Sequence, residues 1–200
     1  KSEIKKLSRQ FLNVTFLISV PCCCGIILVA DQIVEVLFGV EFLPAISTIR
    51  ILSILIVLMP LSGGVFCQLL LTAGKEKSYL ACVLIGTVVN AVLNYLLIPT
   101  LTQNGAAIAS VIAEFTVSIS MIVATRRTIK VNMCCRDVFS ILTSAFFMSL
   151  TLVLCHKLFS GQAVWMRLLV EIVIAILVYF LCVFMLKNSA FSRIIRMIKK

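Results

Sequence analysis

The sequence predicts an all-α membrane protein with six transmembrane helices. Three observations predict it. The chain is 62% hydrophobic and only 13% charged, with a mean hydropathy of +1.16. Soluble domains average about 45–50% apolar and about 25% charged residues. Six separate stretches are apolar enough to cross a bilayer core of ~30 Å, which needs ~20 helical residues. The lysines and arginines fall almost entirely on one side of those stretches. Without lipid, a chain of this length could not bury so much apolar surface. Backbone groups in lipid must be satisfied inside the segment, so the spans are helices; a β-barrel's alternating pattern is absent.

The elements follow in order. Residues 1–10 read as a cytoplasmic interfacial segment: Ile4, Leu7 and Phe11 keep helical spacing among Lys1, Lys5, Lys6 and Arg9. The membrane bundle is predicted over 11–186, with spans at 11–30, 46–71, 79–98, 105–125, 138–155 and 168–186. Residues 32–43 are too short to span. Their Ile33, Val36, Leu37 and Val40 suit a helical extension at the outer surface, ended near Gly39 and Pro44. Residues 187–200 form a basic amphipathic tail, with Phe191, Ile194, Ile195 and Ile198 on one face. Both flanks read as membrane anchors, with partner docking as the alternative.

The connections assign sides. Four segments carry the positive charge: Lys1, Lys5, Lys6 and Arg9; Lys75 and Lys77; Arg126, Arg127, Lys130 and Arg136; and Lys187, Arg193, Arg196, Lys199 and Lys200. The other three connections hold only Lys157 and Arg167. The positive-inside rule then puts both termini in the cytoplasm. The net charge of +10 faces an anionic leaflet and needs no nucleic acid. The chain starts at Lys1 and reads as a piece of a longer protein. A cleaved signal peptide is the alternative for the first span, but that span is full length and residues 21–25 lack a small-residue cleavage pattern.

The nine cysteines do not form a framework. Cys22, Cys23, Cys24, Cys67, Cys82, Cys155 and Cys182 lie in or beside apolar spans, where a free thiol acts as a small hydrophobe. Cys134 and Cys135 lie in a basic loop. With no C-x-x-C and one histidine, neither a metal site nor a cofactor is expected.

The few polar residues inside the spans carry the functional evidence. Glu114 lies near the middle of the fourth span, where an ionisable group costs ~2.5–3.5 kcal/mol on insertion scales and must face protein or water. Ala106, Ala107, Ser110 and Ala113 make a small-residue stripe beside it. In the third span Asn90 and Asn94 share one face. A short outer loop makes these spans antiparallel neighbours. Asn90 lies 11 residues from Tyr79 and Glu114 lies 11 from Thr125, so both sit ~16 Å deep. A polar ladder of Asn90, Asn94, Ser110 and Glu114 is predicted if the faces meet. The plainer reading is that it only glues two helices.

The second span is broken by Pro60-Leu61-Ser62-Gly63-Gly64. Proline removes a donor, and the glycines loosen the turn. Transporters place such hinges beside midplane sites; a passive kink is the alternative. Arg50 enters the same span near the outer surface, and can snorkel, pair with Asp31 or Glu35, or offer a cation to a cavity. Arg167 and Glu171 are four apart and read as a local ion pair. His156 reads as a surface histidine.

One succession of motifs is familiar. Ala30-Asp31-Gln32-Ile33-Val34-Glu35-Val36-Leu37-Phe38-Gly39 is followed by Gln68-Leu69-Leu70-Leu71-Thr72-Ala73-Gly74-Lys75. Then come Val89-Asn90 with Asn94, Ile98-Pro99, and Asn104-Gly105-Ala106-Ala107 with Ser110 and Glu114. It resembles the C-terminal part of bacterial polysaccharide flippases, the O-antigen and capsule repeat-unit exporters of the multidrug/oligosaccharidyl-lipid/polysaccharide superfamily. The resemblance covers about residues 15–125. It implies part of a two-bundle, MATE-like transporter in the bacterial inner membrane, not an enzyme. The implied substrate is a polyprenyl-diphosphate-linked oligosaccharide, moved by alternating access with an ion gradient as energy source. Glu114 would then be the ion-coupling residue. Asn90 and Asn94 would line the cavity, and Arg50 would meet a diphosphate or acidic sugar. Pro60, Gly63 and Gly64 would be the hinge. Implied partners are membrane lipids, the missing N-terminal half, a polysaccharide polymerase and a chain-length regulator. A multidrug or metabolite exporter of the same superfamily is the nearest rival. An intramembrane polymerase or acyltransferase fits less well, because the loops are short.

Overall fold

The computed structural model describes residues 2–126, 135–159 and 161–198, and among them every regular element is a helix. Helix α1 runs Ser2–Leu37, and a short 3₁₀ turn follows at Val40–Phe42. Helices α2 (Ala45–Leu52) and α3 (Leu55–Met59), a π-helical turn at Pro60–Phe66 and α4 (Cys67–Thr72) make one interrupted rod. The rest is α5 (Glu76–Arg126), α6 (Cys135–Leu158), α7 (Val164–Met185) and α8 (Ser189–Ile198). Five of these stretches are long and apolar enough to cross a membrane, α5 being 51 residues long.

Helix α5 holds two of the predicted spans. Thr102 breaks it with φ 49° and ψ −125°, a conformation that favours glycine. The chain folds back there. A methyl group on Gly105 would collide with the Leu97 carbonyl and come within 3.0 Å of the Ile98 nitrogen. One on Gly86 would overlap Val117 Cγ2 and lie 3.4 Å from the Ala113 carbonyl. Such neighbours, seven to 31 positions apart, touch only in an antiparallel hairpin. The glycines are small so that the two arms can close.

One difference from the sequence reading concerns the N-terminal flank. The N-terminal segment and the first span form one unbroken helix of 36 residues, ~54 Å at ~1.5 Å per residue, and therefore longer than a bilayer core. The helical extension expected after the first span is present as the last turns of that helix, ended by Gly39 at φ 87°. Lys1, Arg127, Lys130, Cys134, Lys199 and Lys200 lie outside the described residues, as do the side chains of Ile4, Lys5, Ile194, Ile195, Arg196 and Ile198. In the described part of α8, Phe191 stacks on Phe180 with ring centroids 5.6 Å apart.

The chain divides into two compact units, Lys1–Thr15 with Ile51–Asn132 and Phe16–Arg50 with Met133–Lys200. Within the second, polar bonds join elements far apart in sequence. Asp137 is buried at the start of α6 and accepts from the backbone N–H (3.1 Å) and hydroxyl (2.7 Å) of Ser189, where α8 begins. Its carboxylate meets the positive end of α8.

Pro21 inside α1 leaves the Leu17 carbonyl without its usual i+4 donor. The buried Tyr179 hydroxyl of α7 supplies one, at 2.8 Å. An orphaned buried carbonyl costs about 1–3 kcal/mol. Tyr179→Phe should therefore lower unfolding stability by about that amount. Pro21→Ala should restore most of it in the Tyr179→Phe background, because alanine brings back the backbone N–H that proline lacks. Unfolding in bicelles, read by circular dichroism, checks both.

Candidate functional site

The interrupted rod and the two arms of α5 enclose a cavity of about 540 Å³ in the first unit. Its polar lining is Ser62, Thr87, Asn90, Ser110 and Glu114, with Tyr79 also on its wall. The apolar wall includes Met59, Val83 and Met121. Asn90 comes from the first arm of α5, and Ser110 and Glu114 from the second. The hairpin at Thr102 brings them opposite each other.

Pro60 begins the π-turn that presents Ser62. π-turns put one extra residue into a helix and re-aim the side chains beyond it. Ser62 is 2% exposed, and its hydroxyl lies within hydrogen-bonding distance of the Leu58 carbonyl (3.2 Å), the Met59 carbonyl (3.3 Å) and Glu114 Oε1. A hydroxyl has one hydrogen. The helix carbonyls therefore compete with the carboxyl for it, and the Glu114 contact is the closest of the three.

The sequence-predicted residues separate as follows. Glu114 and Asn90 line the cavity, as does Gly63. Asn94 does not line it; its Nδ2 donates to Asn90 Oδ1 at 2.7 Å and so fixes the orientation of that amide. Ser110 donates to the Ala106 carbonyl at 2.9 Å. A Cβ at Gly63 or Gly64 would meet nothing within 4 Å. These glycines are therefore not needed for close packing, and what they contribute is backbone freedom. Arg50 lies in the other unit. Its Nε donates to the Ile27 carbonyl at 3.1 Å, and it lines a different cavity of about 200 Å³ that Asp31 also lines.

Sequence reasoning missed Ser62 as Glu114's partner. It also read His156 as an isolated surface residue. His156 instead meets Gln32 at 3.0 Å and lies 3.7 Å from Glu171, which is 1% exposed. The Arg167–Glu171 pair is present at 3.9 Å, as one side of this larger group. The second unit also holds an apolar cavity of about 400 Å³ between α1, α6 and α7, lined by residues such as Pro21, Gly25, Ile176 and Phe180.

Comparison with known proteins places this geometry. The family model for the lipid II flippase MurJ matches residues 1–179. The chain belongs to that flippase family. A solved structure of the lipid II flippase MurJ, in an inward closed conformation, is similar with a TM-score of 0.73 and 15% sequence identity. The match covers 100% of this chain and 41% of that one, so this chain spans less than half of that protein's length. None of the curated proteins matches the sequence. Flippases of this family are transporters, not enzymes, and sit in the same superfamily as the exporters that the motifs resemble. The O-antigen and capsule subfamily is not the one matched.

If the cavity is wet, position should decide reactivity more than exposure. In an otherwise cysteine-free protein in proteoliposomes, Asn90→Cys and Ser110→Cys should react with a charged thiol reagent at least about tenfold faster than Ile112→Cys. Ile112 is 41% exposed, but outside this cavity.

Proposed function

We propose that this chain is part of a flippase that moves a lipid-linked glycan precursor across the bacterial inner membrane. Lipid II, the substrate in the family's name, is the first candidate, ahead of the O-antigen or capsule repeat unit. A polysaccharide polymerase and a chain-length regulator would be partners only under the repeat-unit reading. Both termini face the cytoplasm in this proposal, on the strength of the loop charges.

The observation that carries the proposal is the carboxyl of Glu114, held against a broken helix in a cavity that it shares with Ser62, Asn90 and Ser110, in a chain of the flippase family. A carboxyl that exchanges Ser62 for an ion, or the reverse, has two arrangements. The π-turn and its glycines can follow it between them. Glu114 is thus assigned ion coupling. Asn90 is assigned to the cavity wall, with Asn94 as its positioning residue. Pro60, Gly63 and Gly64 are assigned the hinge. Arg50 is left with substrate contact only as a separate anion-binding element. The apolar cavity between α1, α6 and α7 suits a hydrocarbon chain, which a lipid-linked substrate would bring.

The test is reconstituted flipping by the full-length protein, with lipid II and a lipid-linked O-antigen repeat unit as alternative substrates. Faster movement of lipid II supports the proposal. Movement of neither, with efflux of small amphiphilic compounds, overturns it. Glu114→Gln should insert normally and slow flipping at least about tenfold, equivalent to ~1.4 kcal/mol in the rate-limiting barrier. A wild-type rate would remove Glu114 from the coupling role.

A further inference from the structure

The second unit contains a polar group that the flippase reading does not use. Gln32 of α1 is fully buried, and its amide Nε2 donates to Glu171 Oε2 of α7 at 2.6 Å. The same nitrogen faces His156 Nδ1 of α6 at 3.0 Å. With Gln32 as donor, that ring nitrogen must be bare, so the imidazole is neutral with its hydrogen on Nε2. Glu171 is 1% exposed, and its other oxygen, Oε1, accepts no hydrogen bond. That oxygen lies 3.7 Å from His156 Nδ1. His156 is 41% exposed and lines the cavity of about 200 Å³ together with Glu171.

We infer that Gln32, His156 and Glu171 form a proton-binding site that changes which helices are bonded to each other. A proton from water on Nδ1 turns that nitrogen from acceptor into donor. It can then no longer accept from Gln32, and the bond between α1 and α6 is lost. Glu171 Oε1, 3.7 Å from Nδ1, accepts no hydrogen bond and has Arg167 Nε at 3.9 Å as an ion-pair neighbour; a turn of the ring brings the new N–H onto it and bonds α6 to α7. Gln32 keeps its bond to Oε2. Loss of the proton reverses the exchange. No other reactant is needed.

Charged side chains from several helices surround it. Asp31 on α1, Arg50 on α2 and Lys157 on α6 line the same cavity. Arg167 on α7 stands 3.9 Å from Glu171, and the buried Cys155 lies on α6 beside it. Cations and carboxyls thus share the surroundings of His156.

The test is nuclear magnetic resonance of the full-length protein in nanodiscs, with ¹⁵N in histidine and glutamine side chains. His156, the one histidine of this chain, is assigned by the signal lost in His156→Gln. At high pH the imidazole should be the Nε2–H tautomer. On acidification Nδ1 should gain its proton, and the Gln32 amide should shift at the same midpoint. In Glu171→Gln the transition should need at least about tenfold more acid, because the imidazolium loses its acceptor. In Gln32→Leu it should need less, because no donor competes for Nδ1. An imidazole that titrates while the Gln32 amide stays unchanged would overturn the inference. So would midpoints in both variants within about twofold of wild type. No transport is measured, so the result stands apart from whether the protein flips lipid II.

Discussion

A polar group inside a bilayer has no water to fall back on, and most of this structure follows from that constraint. Each backbone group must find a partner within its helix, and each break in a helix must be compensated from elsewhere. Pro21 frees the Leu17 carbonyl, and Tyr179 reaches across from α7 to take it. Pro60 interrupts the second rod. The chain winds into a π-turn there, and Ser62 is left facing a carboxyl. A soluble protein could leave such groups to solvent. Here each break ties two helices together.

The same constraint concentrates function. An ionisable side chain within a span is tolerated where protein or trapped water meets it, so Glu114 and the cavity around it are expected together. The cavity depends on the tight hairpin of α5. Gly105 lets the arms start close together, Gly86 lets them stay close, and Asn90 and Ser110 then line the same space as Glu114. Fold and site are linked in that hairpin: what brings the arms together also sets the polar residues opposite each other.

Much of this was legible in the sequence. Six apolar stretches gave the spans because lipid makes hydropathy alone decisive, without any need for a face period. The α5 hairpin was visible in the short Pro-Thr-Leu-Thr-Gln-Asn connection, and matched distances from the far ends of the two arms put Asn90 level with Glu114. What was not legible were the partners. Ser62 meets Glu114 across 52 positions, and Gln32 meets Glu171 across 139. No local spacing encodes such contacts. His156 looked like a surface residue because nothing near it in sequence could be its partner. Gln32, which decides its role, stands in a stretch of α1 that was read only as a family motif and a helical extension. The family was legible only in its coarser form: the ordered motifs led to the superfamily and to a lipid-linked substrate, while the matched family is that of the lipid II flippase.

The broken rod closes on the second arm of α5 through one polar contact, that of Ser62 with Glu114. A double-mutant cycle with Ser62→Ala and Glu114→Gln measures it most directly, with unfolding free energies taken in bicelles. The account predicts a coupling of about 1 kcal/mol or more, at the upper side of interhelical hydrogen bonds in membranes. Effects that add to within about 0.3 kcal/mol would mean that the two residues are neighbours without an interaction, and would contradict it.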